Sequence, residues 1–233
     1  GFQLQFMLDT TLSDLEKYPL KLNDLICVSG LSSWKEAPAK IQWASSTDQI
    51  KSIDSELPNV GLKGDYWVGP MYTSPEHAKF EGSVMSIDPS GRGADRTGYS
   101  DVNYVIIESN FGDGMATALL KPIMSRIHPC TIEEVRHSKQ KELRIIDTLE
   151  PVMNQHRLVV SQEIIREDFK LDPDHQLFKQ MTRITKDKGA IKHDDAIDAL
   201  SIAVAYWVER MDRDQELSFN EHKNDLLKVE LDK

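Results

Sequence analysis

The chain has 233 residues, 39% of them apolar, and its 28 Lys and Arg against 38 Asp and Glu give a formal net charge of −10. It is too apolar to be wholly disordered, and with 2 cysteines it is too poor in cysteine to be a disulfide scaffold. The acidic balance argues against a protein that binds nucleic acid over a broad basic surface. It leaves room for a nuclease, which needs clustered carboxylates for metal ions and only a local basic strip for phosphate.

The sequence shows no membrane-spanning or secretory pattern. No apolar run approaches the ~18–20 residues that a membrane-spanning helix requires. Residues 1–5 lack the basic and apolar regions of a signal peptide. Cys27 and Cys130 are far apart and neither stands in a CxxC motif, which favours two reduced thiols. We therefore expect a soluble, intracellular protein without a membrane partner.

The first 80 residues carry the weakest structural pattern. Residues 12–16 look like a capped helical turn, which Pro19 would limit. Residues 31–80 interleave four prolines with serine and glycine, and their apolar periodicity is weak. We interpret residues 31–80 as a linker or a peripheral layer rather than a core.

Two short apolar runs follow, and each ends on an acidic residue. Residues 83–88 end on Asp88 and residues 104–108 end on Glu108, which is typical of short buried strands. The stretch after Asp88 is rich in glycine and proline, as expected of a turn.

The remaining pattern alternates helices and strands. We predict three helices and two strands. The first helix covers 113–126 with a kink at Pro122, the second is capped by Ser138 and ends near Glu150 before Pro151, and the third covers about 193 to about Met211. The strands are predicted at 131–136 and 158–160. We expect the last ~20 residues, charged in both signs, to be frayed. This alternation predicts an α/β domain with parallel strands.

Acidic residues gather at three places in this pattern. Asp195 and Asp198 are three positions apart on a helix and share a face, with Asp194 just before them. Ligands of parallel sheets bind beyond the carboxyl ends of the strands, where Asp88 and Glu108 fall. If these acids converge, they suit Mg²⁺ or Mn²⁺ better than zinc. Two such ions, ~3.5–4 Å apart, would activate water and stabilise a leaving 3′ oxygen.

Each acid also has an ordinary structural explanation. An Asp after a strand, such as Asp88, is a common turn former. Asp194 or Asp195 is equally suited to capping the helix. Only the combination with Glu108 and Asp198 indicates a metal site for phosphodiester hydrolysis.

A local excess of basic residues is found at 121–144, with six basic against three acidic side chains. A helix N-terminus with lysines nearby suits phosphate. We predict DNA contacts from Lys139, Lys141 and Arg144, and from Arg92 in the glycine-rich turn. The alternative is a solvated charged face.

Three segments, SIDPSGRG (86–93), IESNFG (107–112) and HDDAIDAL (193–200), resemble the C-terminal nuclease domain of phage large terminase subunits. The likeness is greatest to the DNA-packaging terminases of short-tailed phages that package concatemers. Residues 6–9 (FMLD) and 18–20 (YPL) resemble the end of that family's ATPase domain.

The resemblance implies an RNase H-like mixed sheet flanked by helices, and a two-metal endodeoxyribonuclease that cuts concatemeric double-stranded DNA. It implies Mg²⁺ or Mn²⁺ as cofactor, with catalytic metal ligands at Asp88, Glu108, Asp195 and Asp198, and Asp194 as a further ligand. It implies double-stranded DNA, the portal of the procapsid and the small terminase subunit as partners in the host cytoplasm. We expect the end of an ATPase region and a linker at 1–80, the nuclease domain at 81–211, and a charged tail at 212–233.

Two departures from the family pattern stand out. The chain has no GxxxxGK[ST] phosphate loop, so we do not expect it to hydrolyse ATP by itself. Residues 91–103 are also too few for the two antiparallel strands and the helix that an RNase H-like sheet needs before the strand of Glu108. We therefore predict that residues are missing near Ser100 and Asp101.

Two other functions remain open at this point. One is a junction resolvase or a ribonuclease of the same fold. The other is a non-catalytic module that docks on the portal or the small terminase, with the acids serving a structural purpose.

Overall fold

The structure is a computed structural model. It describes residues 17–29, 31, 36–44, 46–47, 53, 57–62, 64–87, 102–108, 114–127 and 130–231. Within these residues no helix is long and apolar enough to cross a bilayer.

The described chain contains nine strands, five α-helices and two 3₁₀ turns. In chain order they are a 3₁₀ turn at Leu22–Asp24, β1 (Ile26–Val28), β2 (Glu36–Pro38), β3 (Ile41–Gln42), β4 (Tyr72–Thr73), β5 (His77–Lys79), β6 (Val84–Ile87), β7 (Tyr104–Glu108), α1 (Met115–Ile127), β8 (Thr131–Val135), α2 (Lys141–Asn154), β9 (Val159–Ser161), α3 (Gln162–Asp168), a 3₁₀ turn at Pro173–His175, α4 (Leu177–Met181) and α5 (Asp195–Leu231).

The main sheet is formed by β6, β7 and β8 in that order, and all three strands are parallel. β7 is central, which explains why Val105, Ile106 and Ile107 are all buried. Ile87 is in register with Ile107, so β6 and β7 end at the same edge of the sheet. The prediction of parallel α/β structure is confirmed in these strands. The predicted missing segment lies between β6 and β7, outside the described residues.

Helix α2 provides one face of the core. Its residues Ile145, Ile146, Leu149 and Met153 have no solvent exposure and follow the spacing of a single helical stripe. They belong to one hydrophobic cluster with Ile197 of α5, which packs against α2. Truncating one of these side chains to Ala is expected to cost about 2–5 kcal/mol.

The segment before residue 80 contributes to the same core. Strand β1 pairs in parallel with β9, and Leu57 and Trp67 are buried within the cluster that contains α2. The Trp67 indole donates to the carbonyl of Pro58 at 2.9 Å, and its ring packs edge-on against Phe178. The interpretation of residues 31–80 as a linker or peripheral layer is therefore wrong at these positions. Single apolar anchors supply the packing here, and they leave no periodic pattern.

Two small antiparallel pairs, β2 with β5 and β3 with β4, make up the rest of this region. Their residues are half-buried or exposed, which agrees with a peripheral layer.

The predicted ends of two helices were wrong. Helix α2 begins at Lys141 rather than after Ser138, and it contains Pro151 rather than ending before it. The chain turns out of the helix only at His156, whose φ of 53° is left-handed. Helix α5 continues to Leu231 instead of ending near Met211 and fraying. Its 37 residues contain neither Gly nor Pro, so no helix-breaking residue interrupts it.

Candidate active site

Two of the predicted carboxylates, Glu108 and Asp198, meet at a single guanidinium group. Arg144 Nη2 lies 2.7 Å from Asp198 Oδ1 and 3.4 Å from Glu108 Oε1. The sum of these distances, 6.1 Å, is the upper limit of the separation between the two carboxylate oxygens. All three side chains are shielded from solvent: Asp198 is fully buried, and Glu108 and Arg144 are 5% and 10% exposed.

The fold brings these residues together from distant parts of the sequence. Glu108 ends β7 at the carboxyl edge of the sheet. Asp198 lies in the first turn of α5, which packs against β6. Ser86 Oγ of β6 donates to the carbonyl oxygen of Ala199 at 2.5 Å, so the start of α5 is held against the sheet. Because α2 also packs against α5, Arg144 reaches both acids.

Lys141 adds a second cation to this cluster. Its Nζ lies 2.8 Å from Asp194 Oδ1 and 3.0 Å from Asp198 Oδ2. Lys141 and Arg144 are three residues apart, so they share one face of α2. Burial lowers the pKa of Lys141, but hydrogen bonds to Asp194 and Asp198 raise it more, and the net pKa lies above the usual lysine value. Lys141 is therefore a stable positive charge at neutral pH.

Two uncharged side chains hold the start of α5 in place. Gln180 Oε1 accepts a hydrogen bond from the Ile197 backbone N–H at 3.0 Å, which satisfies one of the free donors of the helix N-terminus. Ser201 Oγ donates to the carbonyl oxygen of Asp198 at 2.8 Å. Sequence reasoning missed both residues. Gln180 lies in a polar stretch without periodicity, and a serine inside a helix carries no distinguishing signal.

Histidines near the cluster have different surroundings. The ring of His137 is half-buried, and its pKa is lowered by burial and by the charge of Arg144, against the opposing charge of Asp198. His193, just before α5, lies with its ring centroid 4.9 Å from that of His175.

The remaining predicted site residues have separate outcomes. Asp88 and Arg92 lie outside the described residues. Asp195 begins α5 and is half-exposed, and Lys139 is exposed. Arg144, which was predicted to contact DNA, is 10% exposed and paired with two acids, and its DNA contact stays a prediction.

The donor chemistry of the cluster fits hard divalent cations. Glu108 and Asp198 share Arg144, Asp194 and Asp198 share Lys141, and their carboxylate oxygens are ligands of the type that Mg²⁺ and Mn²⁺ prefer. In the described part of the chain, no group of three or more His, Cys, Asp or Glu side chains has the arrangement of a formed metal site. Lys141 and Arg144 hold the carboxylates in this conformation.

Comparison with known proteins identifies the fold family. Residues 100–158 match the family described as Terminase Bacteriophage T7, Ribonuclease H-like domain. The terminase large subunit of Enterobacteria phage T3 is 39% identical to the chain over an alignment of 258 residues, gaps included, and this alignment covers 92% of the chain. The chain belongs to the phage terminase large-subunit family.

The predicted RNase H-like α/β fold is confirmed by this membership. The chain spans 43% of the length of the phage T3 terminase subunit. The aligned span of 258 residues is longer than the 233 residues of this terminase chain, so the relative has residues within that span that the chain lacks.

Proposed function

We propose that the chain is a metal-dependent endodeoxyribonuclease that cuts concatemeric double-stranded DNA during viral genome packaging. The observation that carries this proposal is the convergence of Glu108 and Asp198 on Arg144. A strand end and a helix start, 90 residues apart in sequence, place buried carboxylates in one cluster. Membership in the terminase family supports a nuclease assignment for such a cluster.

The residues proposed to hold divalent cations are Glu108 and Asp198, together with Asp88, Asp194 and Asp195. Asp88 directly follows Ile87, whose strand ends at the same sheet edge as Glu108. Mg²⁺ or Mn²⁺, when bound, would supply the positive charge that activates water and stabilises the leaving oxygen of a phosphodiester.

The cations of the chain itself have a positioning function. Arg144 balances the charge of Glu108 and Asp198, so the two buried carboxylates lie close to a shared counter-charge. Without it, two like charges would be buried with less compensation. Lys141 is 33% exposed, so its ammonium group has access to solvent while it contacts Asp194 and Asp198. We propose that it also faces the DNA phosphate, as the sequence predicts.

The wider functional assignments follow from the family. We propose Lys139 and Arg92 as further phosphate contacts, and the portal and the small terminase subunit as protein partners in the host cytoplasm. The domain limits at residues 80 and 211 are likewise proposed, with residues 1–80 as the end of an ATPase region and a linker.

The direct test is nicking of a supercoiled plasmid in Mn²⁺ by the wild-type chain and by Asp198→Asn and Glu108→Gln. Each variant removes one carboxylate charge with little change in volume, and we expect at least about a hundredfold loss of rate. Asp147→Asn is the matched control, since Asp147 is exposed on α2. Its rate should equal that of the wild type.

Asp88→Asn, at the residue that directly follows β6, keeps the test decisive if Asp198→Asn and Glu108→Gln fail to fold. If Asp88→Asn and a folded Asp198→Asn both cut at the wild-type rate, the proposal is wrong. Parallel reactions on a four-way junction and an RNA–DNA hybrid separate the alternatives. If the chain cuts either substrate clearly faster than linear duplex DNA, the function is that of a resolvase or a ribonuclease and not that of a packaging nuclease.

A further inference from the structure

A cavity of about 260 Å³ lies at the opposite end of α2 from the carboxylate cluster. Its walls include Asn23, Asp24, Trp43, Tyr66 and His156. His156 follows the last turn of α2, 15 residues after Lys141, which is about 20 Å along a helix. The cavity is therefore separate from the proposed nuclease site.

Hydrogen-bond acceptors dominate the polar lining of this cavity. The Asp24 carboxylate is half-buried and makes no ion pair with any described residue. His156 Nδ1 lies 3.0 Å from the carbonyl oxygen of Asp24. Because a carbonyl only accepts, Nδ1 carries the proton, and the neutral ring then has Nε2 as an acceptor. In its neutral form the ring therefore places an acceptor beside the carboxylate of Asp24.

Two lining residues have buried polar atoms that lack partners within the described chain. They are Asn23 Oδ1, an acceptor, and Trp43 Nε1, a donor. Buried polar groups in native proteins are normally paired, and an unpaired one is costly. Asn23 Oδ1 indicates a ligand that carries a hydrogen-bond donor, and Trp43 Nε1 indicates one that also carries an acceptor, such as a peptide carbonyl.

Aromatic rings form the apolar part of the lining. Trp43 stacks on His156 with a centroid distance of 3.5 Å and an interplanar angle of 7°. Tyr66, also in the lining, is 41% exposed, so its ring is accessible to a ligand. The faces of Trp and Tyr attract cations, and guanidinium groups stack on them readily.

We propose that this cavity binds a guanidinium group, the arginine side chain of a partner polypeptide. Its volume is below the roughly 300–1,000 Å³ of sites for drug-sized ligands, so it suits one side chain rather than a nucleotide. A guanidinium has five N–H donors and no acceptor, which matches a lining of a carboxylate, an amide oxygen and an imidazole nitrogen. A nucleotide would also stack on the aromatic rings, but its phosphate would meet the negative charge of Asp24.

The burial of Asp24 supports this proposal. Burial raises the pKa of Asp24, and the neighbouring Glu150 raises it further, while Lys21 and, in its protonated form, His156 lower it. These opposing charges do not fully offset the loss of hydration. A guanidinium ligand would supply the missing positive charge.

The proposal is tested by NMR titration of the full chain with N-acetyl-arginine amide, following the indole N–H signal of Trp43, which the spectrum of Trp43→Phe assigns. The neutral isostere N-acetyl-citrulline amide and the nucleotide dAMP are titrated in parallel. Asp24→Asn removes the charge at constant size, and Asp147→Asn makes the same change at an exposed position on α2. Tyr66→Leu serves as a second cavity variant, because an exposed side chain tolerates replacement.

We expect a saturable shift with the arginine compound, binding about tenfold weaker in Asp24→Asn and clearly weaker in Tyr66→Leu, and unchanged binding in Asp147→Asn. The citrulline compound should give no saturable shift. The proposal is overturned if no saturable shift occurs, if citrulline binds as well as arginine, if Asp24→Asn binds normally, or if dAMP binds at the Trp43 signal in place of arginine.

Discussion

Arg144 contacts Asp198 at 2.7 Å, and the carboxylate it contacts has no solvent exposure. An acid buried to this extent is stable as an anion only with a cation beside it. The same guanidinium reaches Glu108 at 3.4 Å. Arg144 therefore links the sheet edge, helix α2 and helix α5 through one charged group.

Replacement of Arg144 by Met should destabilise the fold strongly. The change leaves Asp198 and Glu108 buried with less compensating charge, and losing one partner of a buried ion pair costs about 3–5 kcal/mol. Urea unfolding at neutral pH measures the effect. The control Arg213→Met, at an exposed position of α5, should stay within about 0.5 kcal/mol of wild type.

A double variant, Arg144→Met with Asp198→Asn, tests whether Arg144 stabilises the fold through its charge or through its packing. It should be more stable than the sum of the two single changes predicts, because the uncompensated charge is removed. Additive losses would mean that Arg144 acts through packing alone.

Replacement of Lys141 by Met should tighten the binding of Mn²⁺ about tenfold. The ammonium group lies within 3.0 Å of carboxylate oxygens of Asp194 and Asp198, so it competes with a metal ion for them. Isothermal titration with Mn²⁺ in the absence of DNA measures the affinity. Lys139→Met is the matched control, since it removes an exposed charge two residues away. Equal or weaker Mn²⁺ binding by Lys141→Met would show that the ammonium does not compete with the ion.

Glu142 should make stability depend on pH in the acidic range. Burial raises the pKa of Glu142, but the hydrogen bond from the Gly189 N–H and the charge of Lys188 lower it more, and the net pKa is below the usual value. A depressed carboxyl pKa stabilises the fold above the pKa of the unfolded chain, near 4.5, and this stability is lost as the pH falls through the folded pKa.

Glu142→Gln is therefore expected to be less stable than wild type at pH 7, with a difference that shrinks toward pH 3. Thermal unfolding across this range measures it. The exposed Glu209→Gln should show no such trend. A difference that stays constant with pH would assign the effect to hydrogen-bond geometry instead of charge.

Cys27 should resist alkylation in the folded chain. It is 2% exposed, and burial raises the pKa of its thiol to about 12, so almost none of it is thiolate at pH 8. Cys130 is half-buried and should react first with iodoacetamide. Mass spectrometry of the native protein should show modification at Cys130, with Cys27 modified only after unfolding in urea. Rapid labelling of Cys27 under native conditions would contradict this.

Sequence patterns were most informative where an element has strong local regularity. The apolar runs before Asp88 and Glu108 predicted β6 and β7 because short β-rich runs that end on turn residues have few other conformations. The spacing of Leu143, Ile146 and Leu149 likewise predicted one apolar face of α2, and Ile146 and Leu149 are buried there. The ends of helices were less predictable, since Pro151 is tolerated near the end of α2 and nothing in the sequence stops α5 before Leu231.

The sequence by itself determined the chemical identity of the candidate site: acids at strand ends and at a helix start, of the type that binds hard cations. Only the tertiary structure decided which charges meet. From the sequence, Lys141 and Arg144 were interpreted as part of a basic surface that contacts DNA. Local periodicity shows which residues share a helix face, but it does not show what that face contacts. The packing of α2 against α5 and the sheet turned that face inward, toward Asp198 and Glu108. Contacts of this kind join residues that are far apart in the chain. They depend on how helices and strands pack together through their apolar faces, and the local sequence does not specify this packing.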